Sequence, residues 1–214
     1  EQEIETLLAA FERVATGVDT DVGVSLANNF PDELISFQQN FHSENLSGQP
    51  IASQPNLPLL GSREIILVSG YSGVGKSALV REVHKPITTK KGNFISGKFD
   101  QYKRNIPYYA LSQAFNNLCN QLLTESESVL NEWRDKIQQA VGNNGQVLID
   151  VISNLERVIG SQLPVAQVRP QESQNRFNLV FNNFIKAICK AEHPLVLFID
   201  DLQWADGASL KLLR

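Results

Sequence analysis

The chain has 214 residues, which suits one α/β domain or one domain plus appendages, and 42% of them are apolar, ample for a core. A net charge of −4 and a pI near 5.4 give no electrostatic basis for nucleic acid as a main partner. No apolar stretch approaches the ~20 residues needed to cross a bilayer, so no membrane-spanning segment is expected.

In chain order, Ile4, Leu7, Leu8, Phe11 and Val14 recur at helical spacing and predict an amphipathic helix over residues 3–15, ended by Gly17 and docked on the main domain. Residues 17–62 change character. Asn, Gln, Ser, Gly and Pro dominate, and Pro31, Pro50, Pro55 and Pro58 interrupt any long pattern. Apart from a short helix between Pro31 and Phe41, this stretch reads as a linker or disordered insertion between a leading helix (1–16) and a core (63–214).

Arg63 to Ser69 reads as the first strand. Gly70-Tyr71-Ser72-Gly73-Val74-Gly75-Lys76-Ser77 follows and fits G-x-x-x-x-G-K-[ST], the phosphate-binding P-loop. A helix from there to about His84, stopped by Pro86, completes the strand–loop–helix context the motif needs. The chemistry explains the spacing. Glycines let the backbone wrap a polyphosphate, and successive N–H groups form an anion nest. The helix then adds its positive end. Gly70 to Ala78 are thus candidate nucleotide contacts, with Lys76 reaching the β- and γ-phosphates as a candidate catalytic residue. The Ser77 hydroxyl is a candidate Mg²⁺ ligand.

Residues 93–99 read as a second strand. Ligands gather at the carboxyl ends of strands in open parallel sheets, so Asp100 to Arg104 lie near the site or form a solvated polar loop. Helices are expected over 108–123, 125–141, 146–159 and 170–191, with a turn at Gly142–Gly145 and Pro170 at a helix N1 position. Trp133 reads as core.

Leu195 to Ile199 is a continuous apolar run of the kind buried on both faces of a parallel sheet, and it ends in Asp200-Asp201. After a P-loop this is the Walker B pattern. Asp200 at the strand end is a candidate Mg²⁺ partner, and Asp201 is placed to orient or deprotonate an attacking water. Adjacent carboxylates repel, so Mg²⁺ is expected to keep both ionised. Trp204 should pack on the sheet edge, and Asp206 should cap a helix starting near Ala208. His84 and His193 read as capping or surface residues. Cys119 and Cys189, far apart and without a metal-binding pattern, read as buried, reduced thiols of a cytoplasmic protein. The absence of any Met and a C-terminus inside a helical pattern suggest an excerpt of a longer polypeptide.

GYSGVGKS (70–77) followed by ALVRE, together with LVLFIDDLQWAD (195–206), resembles the signal-transduction ATPases with numerous domains, a branch related to the origin-recognition-like AAA ATPases. FISGKFDQYKRNIPYYAL (94–111) and RPQESQNRFNLVFNNFIKAI (169–188) resemble the ATPase module of large bacterial sensor proteins, typified by cyanobacteria. The resemblance covers residues 1–16 and about 63–214.

It implies a P-loop NTPase fold, an α/β three-layer sandwich around a parallel sheet, with the later strands and lid beyond Arg214. It also implies ATP and Mg²⁺ as cofactors, and kinase, GAF and histidine kinase domains of the same polypeptide as partners. Asp201 stands where AAA relatives usually carry Glu, and a shorter acid implies slower turnover. The expected function is a nucleotide-dependent signalling module that hydrolyses ATP and self-associates in response. The alternatives are a P-loop kinase with a phosphate acceptor and a scaffold that holds ATP without turnover.

Overall fold

The computed structural model describes residues 2–16, 25–26, 65–68, 70–71, 73–89, 92–189 and 194–213. The short helix expected between Pro31 and Phe41, Ser72 of the P-loop, and His193 lie outside the described residues. The chain divides into two units, Glu1–Lys91 (with Arg214) and Gly92–Leu213.

In the first unit, α1 (Gln2–Thr16) packs against α2 (Lys76–Thr89). Ala10 and Phe11 of α1 are buried, as are Val80, Val83 and Ile87 of α2, whose spacing sets them on one helical face. A short parallel pair joins β1 (Ser25–Leu26) to β2 (Leu67–Val68). The strand expected over 63–69 is therefore two residues long, with Ile65 and Ile66 outside it.

Pro86 does not stop α2, which runs on to Thr89. Proline removes one helix donor there, and the helix continues for three residues past it. The hydroxyls of Thr88 and Thr89 donate to the carbonyls of His84 and Lys85 at 3.0 and 2.9 Å, adding local bonds across the same turn.

The second unit is built on a parallel pair, β3 (Asn93–Lys98) and β4 (Leu195–Asp200), in register from Asn93↔Leu195 to Lys98↔Asp200. Helix α3 (Tyr109–Leu122) lies against β3 at close range. A Cβ on Gly97 would sit 1.9 Å from the Ala110 carbonyl oxygen, so only glycine permits this approach. The edge of β3 away from β4 is occupied by side chains of α3. Gln113 accepts from the Lys98 N–H at 3.1 Å, while Asn117 and Gln121 donate to the carbonyls of Ser96 and Phe94 at 3.3 and 3.1 Å. Amides spaced four apart on a helix thus satisfy alternate groups of an edge strand.

Helices α4 (Glu127–Val141), α5 (Gly145–Ile149), α6 (Leu155–Ile159) and α7 (Pro170–Ile188) complete the core. Phe177, Val180, Phe181, Phe184 and Ile188 form the buried stripe of α7, with Phe115 edge-on to Phe181 and Phe184 at ring distances of 5.3 and 5.7 Å. Trp133 is half-buried against this core, with Lys136 over its ring. Cys119 is buried and Cys189 half-buried, and both are free thiols.

Further expectations differ from the fold. The single helix over 146–159 is broken at Asp150–Asn154 because α3 captures the backbone there. Ser112 donates to the Val151 carbonyl at 2.6 Å, and Asn116 accepts from the Asn154 N–H at 2.8 Å. Each residue of β4 is half-buried, where the apolar run predicts full burial on both faces. Among the described residues β4 has one paired neighbour, and the chain forms two two-stranded sheets where one parallel sheet is expected. No described helix is long and apolar enough to cross a membrane.

Candidate functional site

The predicted site residues fall in both units, and each group is described in its own unit.

In the first, the loop between β2 and α2 has the backbone the motif requires. Gly73 and Gly75 have φ of 82° and 101°, in the left-handed region that glycine enters without cost. The Val74 N–H donates to the Tyr71 carbonyl at 3.3 Å. Lys76 is the first residue of α2, and the N–H groups of Ala78 and Leu79 donate to the Gly75 carbonyl at 3.0 and 2.9 Å. Its first turn carries no acidic side chain to oppose an anion.

Gly70, Tyr71, Gly73, Val74, Gly75, Ser77 and Ala78 are exposed, and Tyr71 is 86% accessible. The Lys76 ammonium folds back over the loop and donates to the carbonyls of Gly70 and Tyr71 at 2.7 and 2.9 Å. These residues fit a polyphosphate. The loop is open, its glycines are in the conformation that turns amides inward, and a cation hangs over it on a mobile stem.

In the second unit, Asp200 ends β4 and Asp201 is the first residue beyond it. Asp201 adopts a left-handed backbone (φ 56°, ψ 45°), uncommon for a residue with a Cβ. Its N–H donates to Asp200 Oδ1 at 2.9 Å, and Gln203 Nε2 donates to Asp201 Oδ1 at 3.1 Å. The register of the strands brings a third charge to the pair. Lys98 Nζ lies 3.0 Å from Asp201 Oδ2 and 4.0 Å from Asp200 Oδ2. The hydrogen bond and charge of Asp201, then the charge of Asp200, hold the Lys98 ammonium above the ordinary lysine pKa.

Lys98 was not among the residues singled out by sequence. The available signal was a lone lysine at the end of a predicted strand. Only the pairing of β3 with β4 turns it into a neighbour of Asp200. It also supplies a counter-charge for adjacent carboxylates that Mg²⁺ alone was expected to supply.

The segments beyond the two strands meet as well. The Phe99 N–H donates to the Asp200 carbonyl at 3.1 Å, and the Arg104 guanidinium lies 5.6 Å from the ring of Trp204. Residues 100–104, expected either near the site or as a solvated loop, thus stand beside the end of β4. Asp206 caps α8 (Gly207–Leu212), accepting from the Ser209 N–H at 2.8 Å and the Ser209 hydroxyl at 2.6 Å. His84 is exposed on α2. Among the described residues no group of three or more His, Cys, Asp or Glu could hold a metal ion.

The AAA ATPase domain family matches residues 58–214. The chain belongs to that family. Membership in the AAA ATPase domains brings a P-loop NTPase α/β fold and nucleotide binding, usually with Mg²⁺. This AAA ATPase domain is similar to the hybrid signal transduction histidine kinase G of Dictyostelium discoideum, with 40% identity over 72% of the chain and 4% of that protein. It is similar also to histidine protein kinase 1 of Candida albicans, with 23% identity over 70% of the chain and 7% of that protein. A protein of Rhizobium meliloti is 25% identical over 72% of the chain and 15% of its own length. The chain thus spans between 4% and 15% of the curated relatives it matches. No solved structure matches it.

Proposed function

We propose that the chain is an Mg-ATP-binding, ATP-hydrolysing regulatory module of a larger signalling histidine kinase. The P-loop geometry carries this reading: Gly73 and Gly75 in the left-handed region, opening directly onto Lys76 at the head of α2. The names of two relatives support a histidine kinase context. In this reading the partners are kinase, GAF and histidine kinase domains of the same polypeptide.

In this reading the amides of Gly70 to Ala78, Ser72 included, cradle the phosphates, within a three-layer sandwich around a parallel sheet. Lys76 exchanges its bonds to the Gly70 and Tyr71 carbonyls for charge-assisted bonds to phosphate oxygens. Ser77 and Asp200 are the residues that would hold Mg²⁺, and the ion would supply neutralisation of phosphate charge. Asp201 orients the attacking water and receives its proton. Binding and slow hydrolysis change the module's state of assembly.

Titration of ATP with and without Mg²⁺ tests the reading. Lys76→Ala is expected to weaken ATP binding about ten- to a hundredfold, the range for losing a charged hydrogen-bond partner. Mg-independent or Lys76-independent binding refutes it.

One observation favours a second reading, an ATP-holding scaffold without turnover. Both oxygens of Asp201 already meet donors, Lys98 and Gln203. Phosphate release from Asp201→Asn separates the two: loss of release supports the hydrolase, and an unchanged rate supports the scaffold.

A further inference from the structure

At the carboxyl edge of the β3–β4 pair, a side chain of the protein itself takes the cation position between two carboxylates. Lys98 Nζ bridges Asp201 Oδ2 at 3.0 Å and Asp200 Oδ2 at 4.0 Å. The strands impose this arrangement. Lys98 and Asp200 are partners in the parallel register, and the Phe99 N–H is bonded to the Asp200 carbonyl at 3.1 Å. Asp201 is turned into place by its left-handed backbone, by its N–H on Asp200 Oδ1, and by Gln203 on its Oδ1. Three polar contacts and one strained residue therefore present both carboxylates to a single ammonium.

A second cation cannot join it without cost. Mg²⁺ binds carboxylate oxygen at about 2.0–2.1 Å in near-octahedral geometry. An ammonium a few ångströms from a divalent ion is repelled, and both draw on the same oxygens. The Lys98 side chain is 63% exposed, so its ammonium can swing into water without opening the core.

We propose that Lys98 is the resident counter-ion of the Asp200–Asp201 pair and that Mg²⁺ displaces it, so that Lys98 sets the Mg²⁺ concentration at which the site loads. The proposal rests on the Mg-ATP reading above. Lys98 acts through the carboxylates and is a positioning residue. Its departure also uncovers Asp201 Oδ2, so metal loading and release of the hydrolytic acid become one event. The lysine resists loading only modestly, because an exposed ion pair shifts an equilibrium by at most about fivefold.

The test uses the full chain and Mn²⁺ as a paramagnetic substitute for Mg²⁺, titrated by electron paramagnetic resonance alone and with a non-hydrolysable ATP analogue. Lys98→Met is expected to tighten Mn²⁺ about three- to fivefold, and Lys98→Arg, which restores the charge, to return it to the wild-type value. The gap between wild type and Lys98→Met should narrow as salt is raised from about 0.05 to about 0.5 M, because an exposed pair is screened. A merely structural lysine would leave Mn²⁺ affinity and its salt dependence unmoved. Unchanged or weaker Mn²⁺ binding by Lys98→Met overturns the proposal. Failure of the Mg-ATP reading looks different, since the analogue then adds no Mn²⁺ binding in wild type and Lys76→Ala changes nothing. Absence of Mn²⁺ binding in every variant overturns both.

Discussion

Replacing Gly97 by alanine tests the closest approach in the second unit. The added Cβ would lie 1.9 Å from the Ala110 carbonyl oxygen, 2.7 Å from its carbon and 3.3 Å from its Cα. Restoring ordinary contact, at about 3.5 Å, requires α3 to retreat from β3 by roughly 1.5 Å. No side chain can rotate away, because the obstacle on each side is backbone. A retreat loosens the buried face of α3, formed by Ala110, Leu111, Ala114, Phe115 and Leu118. Overpacking usually costs about 1–3 kcal/mol, and a backbone obstacle puts this case at the upper end. Relief of glycine's entropy in a strand returns about 0.5–1 kcal/mol, for a net loss of about 2 kcal/mol. Trp133 and Trp204 are the only tryptophans and both belong to this unit, so tryptophan fluorescence during urea denaturation reports on it alone. With a slope of about 1–3 kcal/mol per molar urea, the midpoint should fall by about 1 M. A midpoint that stays in place or rises would refute the close helix–strand contact.

Asp206→Ala removes a buried cap whose two oxygens meet the N–H and hydroxyl of Ser209, and should cost about 1–2 kcal/mol in the same urea assay. Burial pushes the Cys119 thiol up to about 12 from an ordinary 9.0, so the folded state holds this proton more tightly than the unfolded state. Its contribution to stability is complete below about pH 9 and is lost as pH rises towards 12, and the wild-type midpoint should fall faster than that of Cys119→Ala between pH 8 and 10.5. Equal pH slopes for the two proteins would contradict the buried placement.

The strand–loop–helix arrangement around Gly70–Ser77 was legible because its signals are local: the glycines, the lysine and the flanking strand and helix sit within a few residues of one another. Asp200 and Asp201 were legible for a related reason, as an apolar run ending in acid marks a strand end. Lys98 was not, since its meaning arises from a partner about a hundred positions away and only a strand register creates it. The break at Asp150–Asn154 failed for the same cause. Local periodicity favours one helix there, and Ser112 and Asn116 on a distant helix outbid it for the backbone. Pro86 shows the converse error, a local stop signal that did not end the helix.

These features meet on one strand. The register of β3 is fixed on one side by β4 and on the other by Gln113, Asn117 and Gln121 of α3. Gly97 sets how close that helix comes, and the next residue, Lys98, is delivered to Asp200 and Asp201. A one-residue slip would turn Lys98 to the opposite face and place a side chain where only Gly97 fits. The packing that excludes a slip is therefore the packing that holds a counter-ion on the acidic pair. It follows that Gly97→Ala should perturb more than stability. At urea concentrations too low to unfold the protein, it should shift Mn²⁺ affinity in the same direction as Lys98→Met, because a displaced β3 no longer aims the ammonium between the carboxylates.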